Sequence, residues 1–258
     1  MKRPRSPVIV AISAALLCAP AVAQDTEQAA VPSNSVPVVE ANDIKNPEWK
    51  TYRAMLKGLD AFDEHRRLAP AADLRFILLS AKPEVPLQGV SLRIAGGETS
   101  IAIPVADDGT FTLPHDRKAA DDNAEIVLNR KKDMVRWFPH IRSPGLPPNA
   151  RRLGDLRLEC EIFWAIEKDD VPFLIRGALN LAGGPCRSAI STYFPAPRAL
   201  AAATLQSGER RQALTLGKNG RSYVAPIHDR GWSDDALVEL TYAEDEKTAD
   251  AATGSAVK

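Results

Sequence analysis

Cysteine, methionine and histidine are scarce in this chain of 258 residues: three, three and four, respectively. Aromatic residues make up 6%. Neither sign of charge prevails, with 33 lysines and arginines against 33 aspartates and glutamates. A nucleic-acid binder would carry a marked basic excess, so that class is excluded. No apolar run approaches the roughly 20 residues that span a bilayer as a helix, so no membrane span is expected. Catalytic signatures are missing too. There is no G-x-S-x-G elbow, no H-E-x-x-H helix, no phosphate loop with G-K-[ST], no dinucleotide fingerprint and no EF-hand loop. His65, His115, His140 and His228 are scattered beyond ligand spacing. The sequence therefore predicts neither a metal nor a cofactor.

What is present begins with an address. Lys2, Arg3 and Arg5 precede an apolar run from Val8 to Leu17, and Ala21-Val22-Ala23 gives a small-x-small cleavage pattern. These features predict a secretory signal peptide over residues 1–23, cut after Ala23, and a periplasmic or secreted mature protein. Cys18 follows Leu17 where lipid attachment wants a small residue, so an ordinary cleavage is expected. Removing the signal takes three basic residues away and leaves 30 against 33 acidic, a net charge near −3. It also leaves an even pair of cysteines, Cys160 and Cys186, for which an oxidising compartment predicts a disulfide. Closing that loop stabilises a fold by about 3 kcal/mol in the chain-entropy description.

Residues 24–45 lack any sustained period and read as a flexible linker, and 244–258 as a disordered tail. Between them, Asn46, Pro47 and Glu48 look like the start of a helix over 46–70. Trp49, Tyr52, Met55, Leu56, Leu59 and Phe62 would form its apolar stripe. Beyond Pro70 the period falls to two. Alternation at 90–94 and 101–105, an Asp107-Asp108-Gly109 hairpin turn, a return strand at 110–113 and a strand at 124–128 follow. The longest alternation runs from Leu156 to Ile166 and reads as a strand with one buried face that carries Cys160. Further strands are expected at 173–181, 199–205, 211–216, 221–225 and 236–242. The sequence thus predicts a mainly β protein, an antiparallel β-sandwich with one N-terminal amphipathic helix. Its β residues fall into a first half or module at 71–150 and a second at 151–243.

Pro86-Leu87-Gln88-Gly89-Val90-Ser91-Leu92-Arg93-Ile94, followed by Asp107-Asp108-Gly109-Thr110-Phe111-Thr112-Leu113-Pro114, resembles the carboxypeptidase-regulatory-like family of small β-sandwich modules. The resemblance covers about residues 82–130. It implies a non-catalytic module for folding support, adhesion or carbohydrate contact, and it brings no catalytic residues.

Three groupings could carry chemistry. His228-Asp229 lies near Trp232, Asp234 and Asp235, without a serine or cysteine placed as nucleophile. Asp121-Asp122-Asn123 and Asp169-Asp170 look like turn formers more than calcium ligands. The third spans 130–152 and holds Arg130, Lys131, Lys132, Arg136, Arg142, Arg151 and Arg152 against Asp133 alone. Within it, Arg136, Trp137, His140 and Arg142 are the candidate ligand-binding residues, suited to an anionic or sugar-like partner. The expectation is a non-enzymatic interaction or accessory protein of the cell envelope, its partner another envelope protein or anionic or carbohydrate material. A hydrolase with a site assembled from distant residues is the alternative. Few methionines and modest aromatic content give little support to a small-ligand carrier.

Overall fold

The computed structural model describes residues 44–82 and 84–244. The signal peptide expected over 1–23, the expected linker up to residue 43 and the expected tail from 245 lie outside the described residues. Four antiparallel sheets organise the rest. The first has the order β1-β6-β3-β4, from Pro47–Thr51, Glu125–Lys131, Leu92–Gly96 and Thr99–Ile103. The second is β5-β2-β7, from Thr110–Phe111, Asp73–Ser80 and Val135–Arg142. A third is β11-β10-β13-β8, from Arg210–Ala213, Leu200–Ser207, Leu237–Tyr242 and Ala150–Arg152. The smallest pairs β12 (Ser222–Val224) with β9 (Tyr193–Pro195). The expectation of a mainly antiparallel β protein stands.

Helix α1 (Tyr52–His65) starts later than its sequence suggests. Asn46 sits at positive φ, and Pro47–Thr51 pairs with β6 as a strand. The cap is Thr51, whose hydroxyl accepts from the Ala54 N–H at 3.4 Å. Tyr52, Met55, Leu59 and Phe62 are buried at helical spacing, as expected, whereas Trp49 lies on β1 and is exposed. Short helix α2 (Arg117–Asp121) leads into β6.

The largest correction concerns Leu156–Ile166, which is helical: α3 runs from Leu153 to Glu167. Two apolar stripes interleave along it. Leu158, Ile162 and Ile166 join one buried cluster, together with α1 and the inner faces of the first two sheets. Leu153, Leu156 and Cys160, with Trp164 packed beside them, join a second cluster built on the other two sheets. Residues two apart on a helix point about 200° apart, so two stripes of period four, offset by two, imitate the alternation of a strand. The helix is wedged between two cores. Gly58 of α1 lets it approach: a Cβ there would meet Ile166 Cδ1 at 2.6 Å.

Phe173–Leu181, also read as a strand, is helix α4. A short continuous apolar run does not distinguish the two states by period. The Asp107–Gly109 turn forms as expected, with Gly109 at φ +79 and its N–H donating to the Ala106 carbonyl. Its return strand β5 pairs with β2, however, while β4 pairs with β3 across Gly96-Gly97. Cys160 and Cys186 form the expected disulfide. Among the described residues no helix is long and apolar enough to cross a membrane.

Candidate functional site

The basic, aromatic segment becomes strand β7, and its alternation decides where each candidate points. Val135, Trp137, Pro139 and Ile141 face the first core; Arg136, Phe138, His140 and Arg142 face outward. Three of the four candidate residues therefore share a face. Trp137, at 9% exposure, belongs to the core, and Phe138 takes the outward aromatic position. The registers Arg75↔His140, Ile77↔Phe138 and Leu79↔Arg136 extend this outer face onto β2.

Phe138 borders three hollows. One, of about 380 Å³, lies between β1 and β7 and is lined by Trp49, Lys50, Arg136 and the rim of Trp137. A second, of about 290 Å³, is apolar, with Phe163, Trp164, Ile190 and Tyr193 in its wall. The third, of about 520 Å³, uses the outer face of the second sheet as its floor, through Thr110, Ile77, Leu79, His140 and Arg142. Leu146 and Pro148 of the proline-rich loop, Leu240 and Tyr242 close its sides.

Behind this third hollow lies a buried ionic cluster. Arg151 Nη2 bonds Glu159 Oε1 at 2.5 Å and the Ile141 carbonyl at 3.0 Å, and Glu159 Oε1 accepts the Ile141 N–H at 2.7 Å. The pair thus serves as the missing neighbour strand for Ile141 on the free edge of β7. Pro139 faces the same edge, where the lack of an N–H costs no ladder bond. Asp155, one turn before Glu159, accepts both the N–H and hydroxyl of Ser143. Burial pulls the Arg151 guanidinium down, but the adjoining Glu159 carboxylate outweighs it and keeps the arginine charged. Burial, then the Arg151 and Arg142 charges, depress His140 to about 4, against a weaker pull from Asp108. The imidazole is therefore neutral at pH 7.

No protein family, curated protein or solved structure matches this chain. Its chemistry has to be read from its own residues. His140 shares its hollow with Asp108 and Glu159, yet it bonds neither carboxylate. Asp108 is engaged by the Thr110 N–H and hydroxyl at 2.9 and 2.7 Å. The His228 loop is a clamp: Arg157 of α3 binds the Asp234 carboxylate and the carbonyls of Ile227, Asp229 and Trp232. Asp122 accepts from Lys118 and Thr99, and Asp169 and Asp170 bind Lys57, Arg176 and Lys50. His65 stands near Glu161, and His115 is exposed. Among the described residues no group of three or more His, Cys, Asp or Glu is placed to hold a metal.

Sequence reasoning missed α4, which it read as a strand. None of its nine residues is buried. Phe173, Leu174 and Leu181 are 75%, 82% and 92% exposed. Its arginine turns the other way: Arg176 bonds Asp169 Oδ1 at 2.9 Å and the Lys168 carbonyl at 3.4 Å. The half-covered side of the helix is made of Arg176, Gly177 and Leu179, and Asn180 is exposed. The disulfide fixes the base of this excursion, since Cys160 lies in α3 and Cys186 just after α4.

Proposed function

We propose that the protein is an exported, non-enzymatic interaction module of the cell envelope that engages a partner protein through α4. The observation that carries this reading is the outward apolar face of α4. A soluble chain gains nothing by exposing Phe173, Leu174, Ile175 and Leu181 together on one short helix unless something covers them. The apolar hollow of about 290 Å³, with Ile190 and Tyr193 exposed at its mouth, adds to the same kind of surface.

A protein suits this face better than a lipid surface. Helices that lie in membrane interfaces carry a polar side rich in free lysine and arginine. Here the polar residues are Asn180 and an Arg176 already held by Asp169, and the acidic pair Asp169 and Asp170 stands at the entry. The partner should therefore present an apolar cleft. Export, cleavage after Ala23 and a periplasmic or secreted location belong to the same proposal, supported by the disulfide; N-terminal sequencing of the mature protein tests the cut. The carboxypeptidase-regulatory-like resemblance of residues 82–130 fits a supporting module. The two sheets that share the first core would be the layers of its sandwich, with α1 and α3 packed against them. The hydrolase alternative draws on His140 in its hollow, but both neighbouring carboxylates are already bonded elsewhere.

The test is site-specific photo-crosslinking in intact cells from positions 174 and 181, with exposed position 211 as control. We expect one discrete protein adduct from both α4 positions and none from the control. Lipid adducts, self-adducts, equal labelling at 211 or no adduct would each overturn the reading.

A further inference from the structure

The hollow of about 520 Å³ over the β5-β2-β7 sheet has a property that α4 docking does not explain. Arg151, which lines it, is 8% exposed, and its Nε–H has no hydrogen-bond partner. The hydroxyl of Tyr223, fully buried, is also unpartnered. Tyr223 lies close enough to Arg151, Glu159, Tyr242 and Arg142 to feel all four electrostatically. Buried donors are normally paired, because one left unmet loses its bond to water without replacement. Two unmet donors in one neighbourhood leave the buried wall behind the hollow electropositive and short of acceptors of its own.

The charges around the hollow specify that acceptor. Arg151 is balanced by Glu159. Asp108 faces His140, which burial and the neighbouring arginines keep neutral. Arg142 also lines the hollow and bonds only uncharged groups, the Pro147 and Pro148 carbonyls. Asp155, which also acts on Arg142, stands 3.7 Å from Arg152, so with Arg75 nearby on the same sheet face the arginines of this neighbourhood exceed its carboxylates by one. The rest of the lining is apolar: Ile77, Leu79, Leu146, Leu240 and Phe138. A volume of this order suits a small organic ligand.

We infer that this hollow binds a small monoanionic amphiphile, a carboxylate that meets Arg142 in front of the buried Arg151 while its apolar body lies against Leu79, Leu146 and Leu240. Guanidinium groups favour planar carboxylates, and one net charge favours a monoanion over a phosphate dianion. The inference stands apart from the α4 interface and fails or holds independently of it.

The experiment is titration calorimetry of the mature protein with octanoate, octanamide and inorganic phosphate, paired with an NMR titration of the His140 imidazole. Octanoate should bind at one site and raise the His140 titration point; octanamide and phosphate should bind at least about tenfold more weakly, the worth of one charge-assisted contact. Arg142→Gln should weaken octanoate by a similar factor. Leu146→Trp, in a loop at the rim, should block it while leaving the thermal midpoint unchanged. Equal affinity for octanamide, tighter binding of phosphate, or octanoate binding that leaves His140 unmoved and survives Leu146→Trp would overturn the inference. So would the absence of any octanoate heat at millimolar concentration.

Discussion

Helices α3 and α4 follow one another and are both rich in apolar residues, yet their fates are opposite. Eleven of the fifteen residues of α3 are buried, among them Asp155, Arg157 and Glu159; none of the nine in α4 is. The difference lies in what each charged group does. In α3 the charged residues fasten outside segments to the helix: Asp155 takes Ser143, Glu159 takes Ile141 and Arg151, and Arg157 takes the 227–234 loop. In α4 the one arginine fastens the helix to its own base and leaves the apolar side unattended. Apolar content alone therefore says little about burial. The polar anchors decide which side of a helix the protein claims.

The comparison can be broken most severely at Glu159. Glu159→Ala leaves Arg151 charged, buried and unpaired, and should cost about 3–5 kcal/mol in urea unfolding. Replacing both partners together, Arg151→Met with Glu159→Leu, should recover most of that loss. A single variant costing less than 1 kcal/mol would show that the pair is not the fastening described. Next comes a matched pair of truncations. Ile162→Ala in α3 should cost about 2–4 kcal/mol by cavity formation, whereas Leu181→Ser in α4 should stay within about 0.5 kcal/mol. Similar losses at both sites would erase the contrast.

Cys186→Ser should lower stability by about 3 kcal/mol and speed amide exchange through α4 far more than through α3. Uniform acceleration in both helices would contradict the disulfide's role as a base for the excursion.

The smallest effect concerns pH. The unfolded chain protonates His140 near 6.5, while the folded chain resists until about 4. Stability from this group is thus complete above pH 6.5 and is lost as pH falls toward 4, by at most about 3 kcal/mol. His140→Gln should flatten the stability curve between those values relative to the parent. Parallel curves would place His140 in a more solvated setting than its neighbours imply.

Much of the β framework was legible because its signals are local. The strands at 124–128, 199–205 and 236–242 and the Asp107–Gly109 turn needed only alternation and turn chemistry, and the cysteine pair needed only parity. The stripe Tyr52–Met55–Leu59–Phe62 gave α1, although Pro47 imitated a helix start that pairing with β6 overrode. Helix α3 was illegible for a geometric reason: burial on both sides writes a strand's pattern onto a helix. The candidate site was half legible. Arg136, His140 and Arg142 share one face, but the sequence did not reveal that Trp137 points inward. Nor did it mark Arg151 and Glu159 as partners, since a buried ion pair has the same letters as two surface charges. One clue was present: Asp155 and Glu159 sit one turn apart, just after the arginine pair at 151 and 152.

The wedged position of α3 also sets an order on how the chain acquires its shape. Leu158, Ile162 and Ile166 complete a core whose other members all come from residues 52–141. That core stays open, like an arch without its keystone, until the chain has been made past Ile166. The newborn N-terminal stretch therefore has no finished structure to settle into. Any machinery that handles the emerging polypeptide meets it while it can still be threaded.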